Sequence, residues 1–398
     1  MRFVIVGGGI AGVSAAQALK KESPASEVHI LSEESLPLYY RPRLIDYLAG
    51  EVSLESLVVY PEDWYSAQGI HLHLGQKVTE IDVTAGRVLT ATGERVPYDA
   101  LLLATGARPF LPPIEGLQEG PPIYVLRTAS DAQSLRKAAQ EASGALVLGG
   151  GLLGLEAGRS LTKLGLSVTI VEAAPQLLPR QLDQEAAEIL RRRLESMGLA
   201  FVLGRPVERV VAGEAPGGKG GGVAGGPVKR GITLFLQGGD AIAADVLLVA
   251  SGVRSRVELA VAAGCTVERG VVVDDHLATT VAGLYAAGDV AQHRGVVYGI
   301  WPPAMEQGRA AGAAMAGHAR PYRGSVKSHQ LKVAGVDVVS VGEIDPRHEL
   351  EEEVIADPAS GVYRRLIKKD GRLQGAILVG DISGFRELQR QIEQEALA

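Results

Sequence analysis

Two glycine fingerprints of one form, each fed by an apolar run, limit what this chain can fold into more than any other feature. Phe3-Val4-Ile5-Val6 leads into Gly7-Gly8-Gly9-Ile10-Ala11-Gly12, and Ala145-Leu146-Val147-Leu148 leads into Gly149-Gly150-Gly151-Leu152-Leu153-Gly154. In a G-x-G-x-x-G turn between strand and helix, the first glycine permits the tight turn. The second lets backbone approach a pyrophosphate, and the third lets the helix close on the strand. Free N–H groups at the helix start then face the phosphates. An acid expected roughly 20 residues on accepts hydrogen bonds from ribose hydroxyls. Both copies supply one: Val28-His29-Ile30-Leu31-Ser32 ends in Glu33, and Val168-Thr169-Ile170-Val171 ends in Glu172. Two bound dinucleotides are the expectation.

The length of 398 residues allows two or three domains with ample cores. A single cysteine, Cys265, excludes an intramolecular disulfide and any cysteine-rich metal or iron–sulfur site in this chain, so cluster chemistry must reside on a partner. A net charge of −6 with 22% charged residues gives no reason to expect nucleic acid or an anionic membrane as partner. Arg2 before an apolar stretch could be misread as a secretory signal. Cleavage there would remove the first glycine turn and leave Glu33 behind, and no other stretch is apolar for long enough to span a bilayer. A cytoplasmic location is expected. His71 and His73 share a face of a likely strand, but no Cys, Asp or Glu lies at suitable local spacing, so no metal site is predicted.

Strand and helix patterns alternate to about residue 320, which argues for doubly wound α/β layers. Leu101-Leu102-Leu103-Ala104-Thr105-Gly106 and Val246-Leu247-Leu248-Val249-Ala250-Ser251-Gly252 are near copies, each followed closely by a basic residue and each at a similar distance from its own fingerprint. The repeat therefore covers a whole domain. Leu284-Tyr285-Ala286-Ala287-Gly288-Asp289 has no counterpart near the first fingerprint and is expected to return to the first domain. Short strand-like runs after Val326, then a polar helix, suggest a small α+β domain. The fold class is thus α/β: two Rossmann-like dinucleotide-binding domains, one inserted in the other, plus a small C-terminal α+β domain. The expected boundaries are 1–112 and 244–320 for the first domain, 113–243 for the second and 321–398 for the third. The glycine-rich stretch Gly213–Gly231 is expected to be a flexible hairpin loop, since it lacks large apolar groups.

Over nearly its whole length the chain resembles the two-dinucleotide flavoprotein reductases. Tyr39-Tyr40-Arg41-Pro42-Arg43-Leu44, Arg180-Gln181-Leu182-Asp183 and Arg269 to His276 look most like NADH:rubredoxin reductases and the flavin portion of NADH-dependent nitrite reductases. Gln330 to Gly335 also looks like the rubredoxin-reductase type. The resemblance implies FAD on the first fingerprint and NADH on the second. By position, Gly7, Gly9, Ile10, Ala11 and Gly12 would surround the FAD pyrophosphate, with Glu33 on the adenosine ribose and Arg41 near the phosphates. Val78 would meet the adenine through its backbone; Ala104, Thr105 and Gly106 would line the flavin domain; Arg127 would lie near the cofactor. Gly288 and Asp289 would place a carboxylate on the ribityl chain, and Trp301 would start the helix that approaches the ring, where ordinary packing is an equal reading. On the NADH side stand Gly149, Gly151, Leu152, Leu153, Gly154, Glu172 and Gly252. Glu156 and Lys332 match family residues beside flavin and nicotinamide and are the candidate catalytic groups. Many relatives carry a lysine near flavin N5 where this chain has Asp46.

FAD beside NADH permits hydride transfer with no protein nucleophile. The cysteines of disulfide reductases are missing from the region of Tyr39 to Arg41, and Cys265 reads as a structural thiol. The resemblance therefore implies an external iron–sulfur acceptor of rubredoxin or ferredoxin type. Its docking face would be basic, with Arg364, Arg365, Lys368, Lys369 and Arg372, or Arg191 to Arg193, as candidates. Glu172 predicts NADH over NADPH, because a 2′-phosphate would meet a carboxylate. Two alternatives stay open: a flavin subunit of a larger complex such as a nitrite reductase, and a non-catalytic redox sensor or scaffold. Homodimer formation is also left open.

Overall fold

A computed structural model describes residues 1–213, 231–333, 336–345, 347–357 and 359–397. The chain runs through β1 (Arg2–Val6), α1 (Ile10–Glu22), β2 (Glu27–Leu31), α2 (Leu44–Leu48), β3 (Ile70–His73), β4 (Ala100–Leu103), β5 (Gly144–Leu148), α3 (Leu152–Lys163) and β6 (Ser167–Glu172). It continues through α4 (Gln184–Glu195), β7 (Leu199–Leu203), β8 (Val246–Val249), β9 (Leu284–Ala286) and α5 (Trp301–Met315). The C-terminal elements are β10 (Ser328–Val333), β11 (Val336–Gly342), β12 (Glu351–Asp357), β13 (Val362–Lys369), β14 (Arg372–Val379) and α6 (Phe385–Leu397). Two compact units result: residues 1–40, 55–108 and 253–325 form one, and residues 41–54, 109–252 and 326–398 the other.

The first unit is built on a parallel sheet of order β9-β4-β1-β2-β3. Its central strands are apolar on both faces because the sheet is covered on both: Phe3, Val4, Ile5, Leu101 and Leu102 are fully buried. Helices α1 and α5 pack closely through small residues. A Cβ on Gly308 would come within 2.2 Å of the Ala11 carbonyl oxygen, and one on Gly312 within 2.4 Å of that of Ala15. An antiparallel meander of Val78–Asp82, Arg87–Thr90 and Arg95–Pro97 completes this unit.

The second unit repeats the plan with a parallel sheet β7-β6-β5-β8 and a meander of Val207–Ala212, Ile232–Leu236 and Ala241–Ala244. Strand β8 pairs with β5 in the register Val246↔Ala145, so this stretch lies in the second sheet, past the boundary expected at 243/244. Residues 41–54, expected in the first domain, belong with the second unit. Nearly all of the glycine-rich stretch after Gly213 lies outside the described residues; at its ends the Gly213 N–H donates to the Gly231 carbonyl at 2.6 Å. The C-terminal part of this unit is an antiparallel sheet of order β10-β11-β14-β13-β12, with α6 packed on it through Leu388 and Ile392. No helix among the described residues is long and apolar enough to cross a membrane.

Candidate functional site

The two glycine loops are alike atom for atom in what forces their glycines. Gly7 and Gly149 have φ of +120° and +122°, and a Cβ there would sit 2.2 Å from the Ala104 oxygen and 2.5 Å from the Ala250 oxygen. A Cβ on Gly12 would lie 2.1 Å from the Gly7 oxygen, and one on Gly154 1.9 Å from the Gly149 oxygen. The fold itself demands these four. Gly9 and Gly151 differ, because a Cβ there would meet nothing within 4 Å. Each of these two caps its helix in extended backbone, without a side-chain cap and without an acid in the first turn. A helix start left in this way presents unsatisfied N–H groups beside open space, which suits an anionic phosphate. Both loops therefore fit a dinucleotide.

Around the first loop the fold gathers distant segments. Gly288 lies against α1, since its Cβ would be 2.9 Å from that of Ala11, and its N–H donates to Gln307 Oε1 at 2.8 Å. Ser255 Oγ donates to the Asp289 carbonyl at 2.7 Å, pinning the backbone of that residue. Thr105 Oγ1 donates to the Arg256 carbonyl at 2.9 Å, between Ala104, which crowds Gly7, and Gly106 in the left-handed region. Trp301 opens α5 and meets Tyr40 edge to face, with centroids 4.9 Å apart. Glu33 follows β2 but is held by two cations, Arg256 Nη1 at 2.6 Å and Lys77 Nζ at 3.1 Å. These bonds outweigh its partial burial and keep its carboxyl below the usual range. Lys77 immediately precedes the strand of buried Val78, so Glu33 and Val78, expected at the ribose and the adenine, share one corner.

Around the second loop the acid is used differently. Glu172 turns back onto the turn: Oε2 accepts from the Gly150 N–H at 2.7 Å and Oε1 from the Ala174 N–H at 2.8 Å. Leu152 and Leu153 are half-buried at the start of α3. Ser251 Oγ donates to the Leu148 carbonyl at 3.1 Å, echoing Thr105, and Gly252 follows with positive φ and open space above it. Glu156, one turn into α3, faces Asp46 of α2, and Ser160 Oγ ties the two helices by donating to the Ile45 carbonyl at 2.9 Å. Burial, with the Asp46 charge added, lifts the Glu156 carboxyl from 4.5 to about 7. Asp46 itself is held by Arg43 Nε at 2.6 Å. Strand β10 packs on α3 and sets Lys332 in register with Asp337. Arg41 and Arg127, expected near the first cofactor, belong to the second unit, where Arg41 Nη1 donates to the Arg127 carbonyl at 2.6 Å.

Two readings from sequence are corrected and a third is as expected. Arg365 is fully buried, donating to Glu352 Oε2 at 2.6 Å and to the Ile344 and Asp345 carbonyls, so it cannot belong to a docking face. Around it Lys368 pairs with Glu353 across β12 and β13, and Arg191 and Arg192 pair with Glu188, so both basic clusters are largely matched by acids. His71 and His73 do have an acidic neighbour, because β2 lies beside β3 and brings Glu27 and His29 to them. Such cross-strand meetings depend on register and leave no local spacing to read. Cys265 is buried with Sγ 3.5 Å from Thr279 Oγ1, and burial raises its thiol, as expected of a structural cysteine.

Comparison with known proteins agrees with this construction. Residues 1–308 match the model of the pyridine nucleotide-disulphide oxidoreductases, and residues 328–396 that of the rubredoxin NAD+ reductase C-terminal domain. A nitrite reductase [NAD(P)H] of Bacillus subtilis is 34% identical over 99% of this chain and 47% of its own length. The rubredoxin-NAD(+) reductase of Pseudomonas putida is 35% identical over 75% of this chain and 74% of its own. Among solved structures, the covalent putidaredoxin reductase–putidaredoxin complex aligns over 99% of this chain and 93% of that one, with a TM-score of 0.85 and 25% identity. The chain spans less than half the length of the nitrite reductases it matches.

Proposed function

This chain belongs to the pyridine nucleotide-disulphide oxidoreductase family, and on that footing we propose that it is an NAD(P)H-dependent flavoprotein oxidoreductase that holds FAD on the first glycine loop and NADH on the second, and passes electrons to a small iron–sulfur protein. The observation that carries this reading is the matched pair of open second glycines at uncapped helix starts. Bound there, the two cofactors supply hydride transfer followed by release of single electrons.

The residues of the chain bind, orient and tune. The N–H groups at the starts of α1 and α3 hold the pyrophosphates. Asp289, on backbone pinned by Ser255 and next to the Gly288 that lies against α1, would supply the carboxylate for the ribityl chain. Glu172, fixed by two N–H groups, accepts ribose hydroxyls and repels a 2′-phosphate. Glu156, titrating near neutrality, can hold or release a proton on the second unit. The single buried cysteine leaves no thiol pair for disulfide chemistry.

Anaerobic addition of NADH to the purified protein is expected to bleach the flavin absorption band, and added rubredoxin or ferredoxin to restore it. A band unaffected by NADH overturns the reading in favour of a sensor or scaffold. A second reading, the flavin module of a larger enzyme, is favoured by the partial coverage of the nitrite reductases and by a 36% identical assimilatory nitrate reductase electron transfer subunit of Bacillus subtilis. Rapid bleaching without reoxidation by any free carrier, together with copurification of a metalloenzyme, would favour it.

A further inference from the structure

On the first unit, away from the glycine loop, β2 and β3 carry three histidines and a glutamate on one face of the sheet. Side chains alternate along a strand, so Glu27 and His29 of β2 point the same way as His71 and His73 of β3. The pairing sets His29 opposite His71, with rings stacked at 4.7 Å, and Leu31 opposite His73. His29 Nε2 lies 2.9 Å from Glu27 Oε1, while His29 Nδ1 lies 3.0 Å from His73 Nε2. One ligand atom each from Glu27, His29 and His71 falls within 4.8 Å of the others, the only such group among the described residues.

We propose that Glu27, His29 and His71 form a binding site for a divalent transition-metal ion of the zinc class, clamping edge strand β3 to β2. Two imidazoles and a carboxylate form a donor set that zinc takes at about 2.0–2.2 Å, leaving a fourth position for water. The 2.9 Å between His29 Nε2 and Glu27 Oε1 is a hydrogen-bond distance, and the two atoms need to part by only a few tenths of an ångström to reach the roughly 3.3 Å between neighbouring ligands of a tetrahedral ion. His71 is exposed and free to swing in by the remaining distance, and its exposure gives the ion a way in. The surroundings support the ligands. The His29 Nδ1 proton can be donated to His73 Nε2, which leaves the Nε2 lone pair for the metal. Arg2 holds Glu27 in a fork, Nε 2.9 Å from Oε2 and Nη2 3.1 Å from Oε1, which leaves for the ion the Oε1 lone pair that now faces His29 Nε2. On binding, the proton now shared between His29 Nε2 and Glu27 departs to solvent. Imidazole donors favour zinc, cobalt, nickel or copper and disfavour magnesium.

The test is calorimetric titration of chelator-stripped full-length protein with ZnCl2, alongside His71→Ala and His318→Ala. Both substituted side chains are exposed, and His318 lies outside the cluster. The expected result is one Zn2+ per chain for the wild type and His318→Ala. For His71→Ala the affinity should fall at least about tenfold, and Zn2+ but not Mg2+ should raise the thermal midpoint of the wild type and His318→Ala, and that of His71→Ala much less. Equal Zn2+ affinity in wild type and His71→Ala, or no uptake by the wild type, overturns the site.

Discussion

The two glycine loops share a backbone and differ in electrostatics. In both, the first and third glycines are required by the chain's own carbonyls and the second faces open space. Their acids part company: Glu33 is paired with Arg256 and Lys77, whereas Glu172 is bonded to the N–H groups of its own turn. A further carboxylate residue, Asp289, stands behind the first loop on pinned backbone, and a carboxyl that titrates near neutrality, Glu156, stands behind the second. The scaffold is the same in both because backbone sterics are local and unforgiving. The side chains around it differ, in keeping with the proposal that each loop serves a different ligand.

The largest expected effects come from breaking the shared backbone. Gly12→Ala and Gly154→Ala drive a methyl into a carbonyl about two ångströms away and should abolish folding, seen as loss of soluble protein. Gly9→Ala and Gly151→Ala should fold, since nothing crowds them, and separate the loops. The first should release flavin on gel filtration. The second should keep its flavin and raise KM for NADH at least about tenfold, roughly 1.4 kcal/mol of binding. Loss of flavin from both would break the comparison.

A smaller effect sharpens the contrast of the acids. Replacing Glu172 with Ser should lower the NADH/NADPH ratio of kcat/KM about tenfold, a loss of one charge contact. A variant with an unchanged ratio would mean that Glu172 serves its turn alone.

The smallest is a matter of pH. Between 4.5 and about 7 the folded chain holds a proton on Glu156 that the unfolded chain has lost, so stability at this site falls as pH rises through that window and is level above it. The difference in Tm between Glu156→Gln and wild type should therefore grow across the window. Asp46→Asn should narrow it from the top, since it removes the repelling charge. A difference independent of pH would show that Glu156 is not held in its neutral form.

Much of the fold was legible in advance where the rule is local. The fingerprints, the apolar strands feeding them and the repeated strand motifs each declare themselves within a few residues. Other features were hidden for an opposite reason. Arg365 looks like one more cation in a basic run, yet β13 carries it inward to Glu352, Asp345 and Asp183. The boundary expected at 243/244 cuts strand β8 away from the second domain although its motif repeats that of β4, and its register on β5 keeps it in the second sheet.

The sequence by itself determined that this chain carries two glycine turns of one form and one thiol, because glycine spacing follows from steric limits on neighbouring backbone and a cysteine can simply be counted. Tertiary structure alone decided that Glu156 meets Asp46, that Glu33 meets Arg256, and that His29 meets His71. Charge, burial and register act between residues far apart in the chain, and their effect on a carboxyl or an imidazole exists only once folding has brought them together.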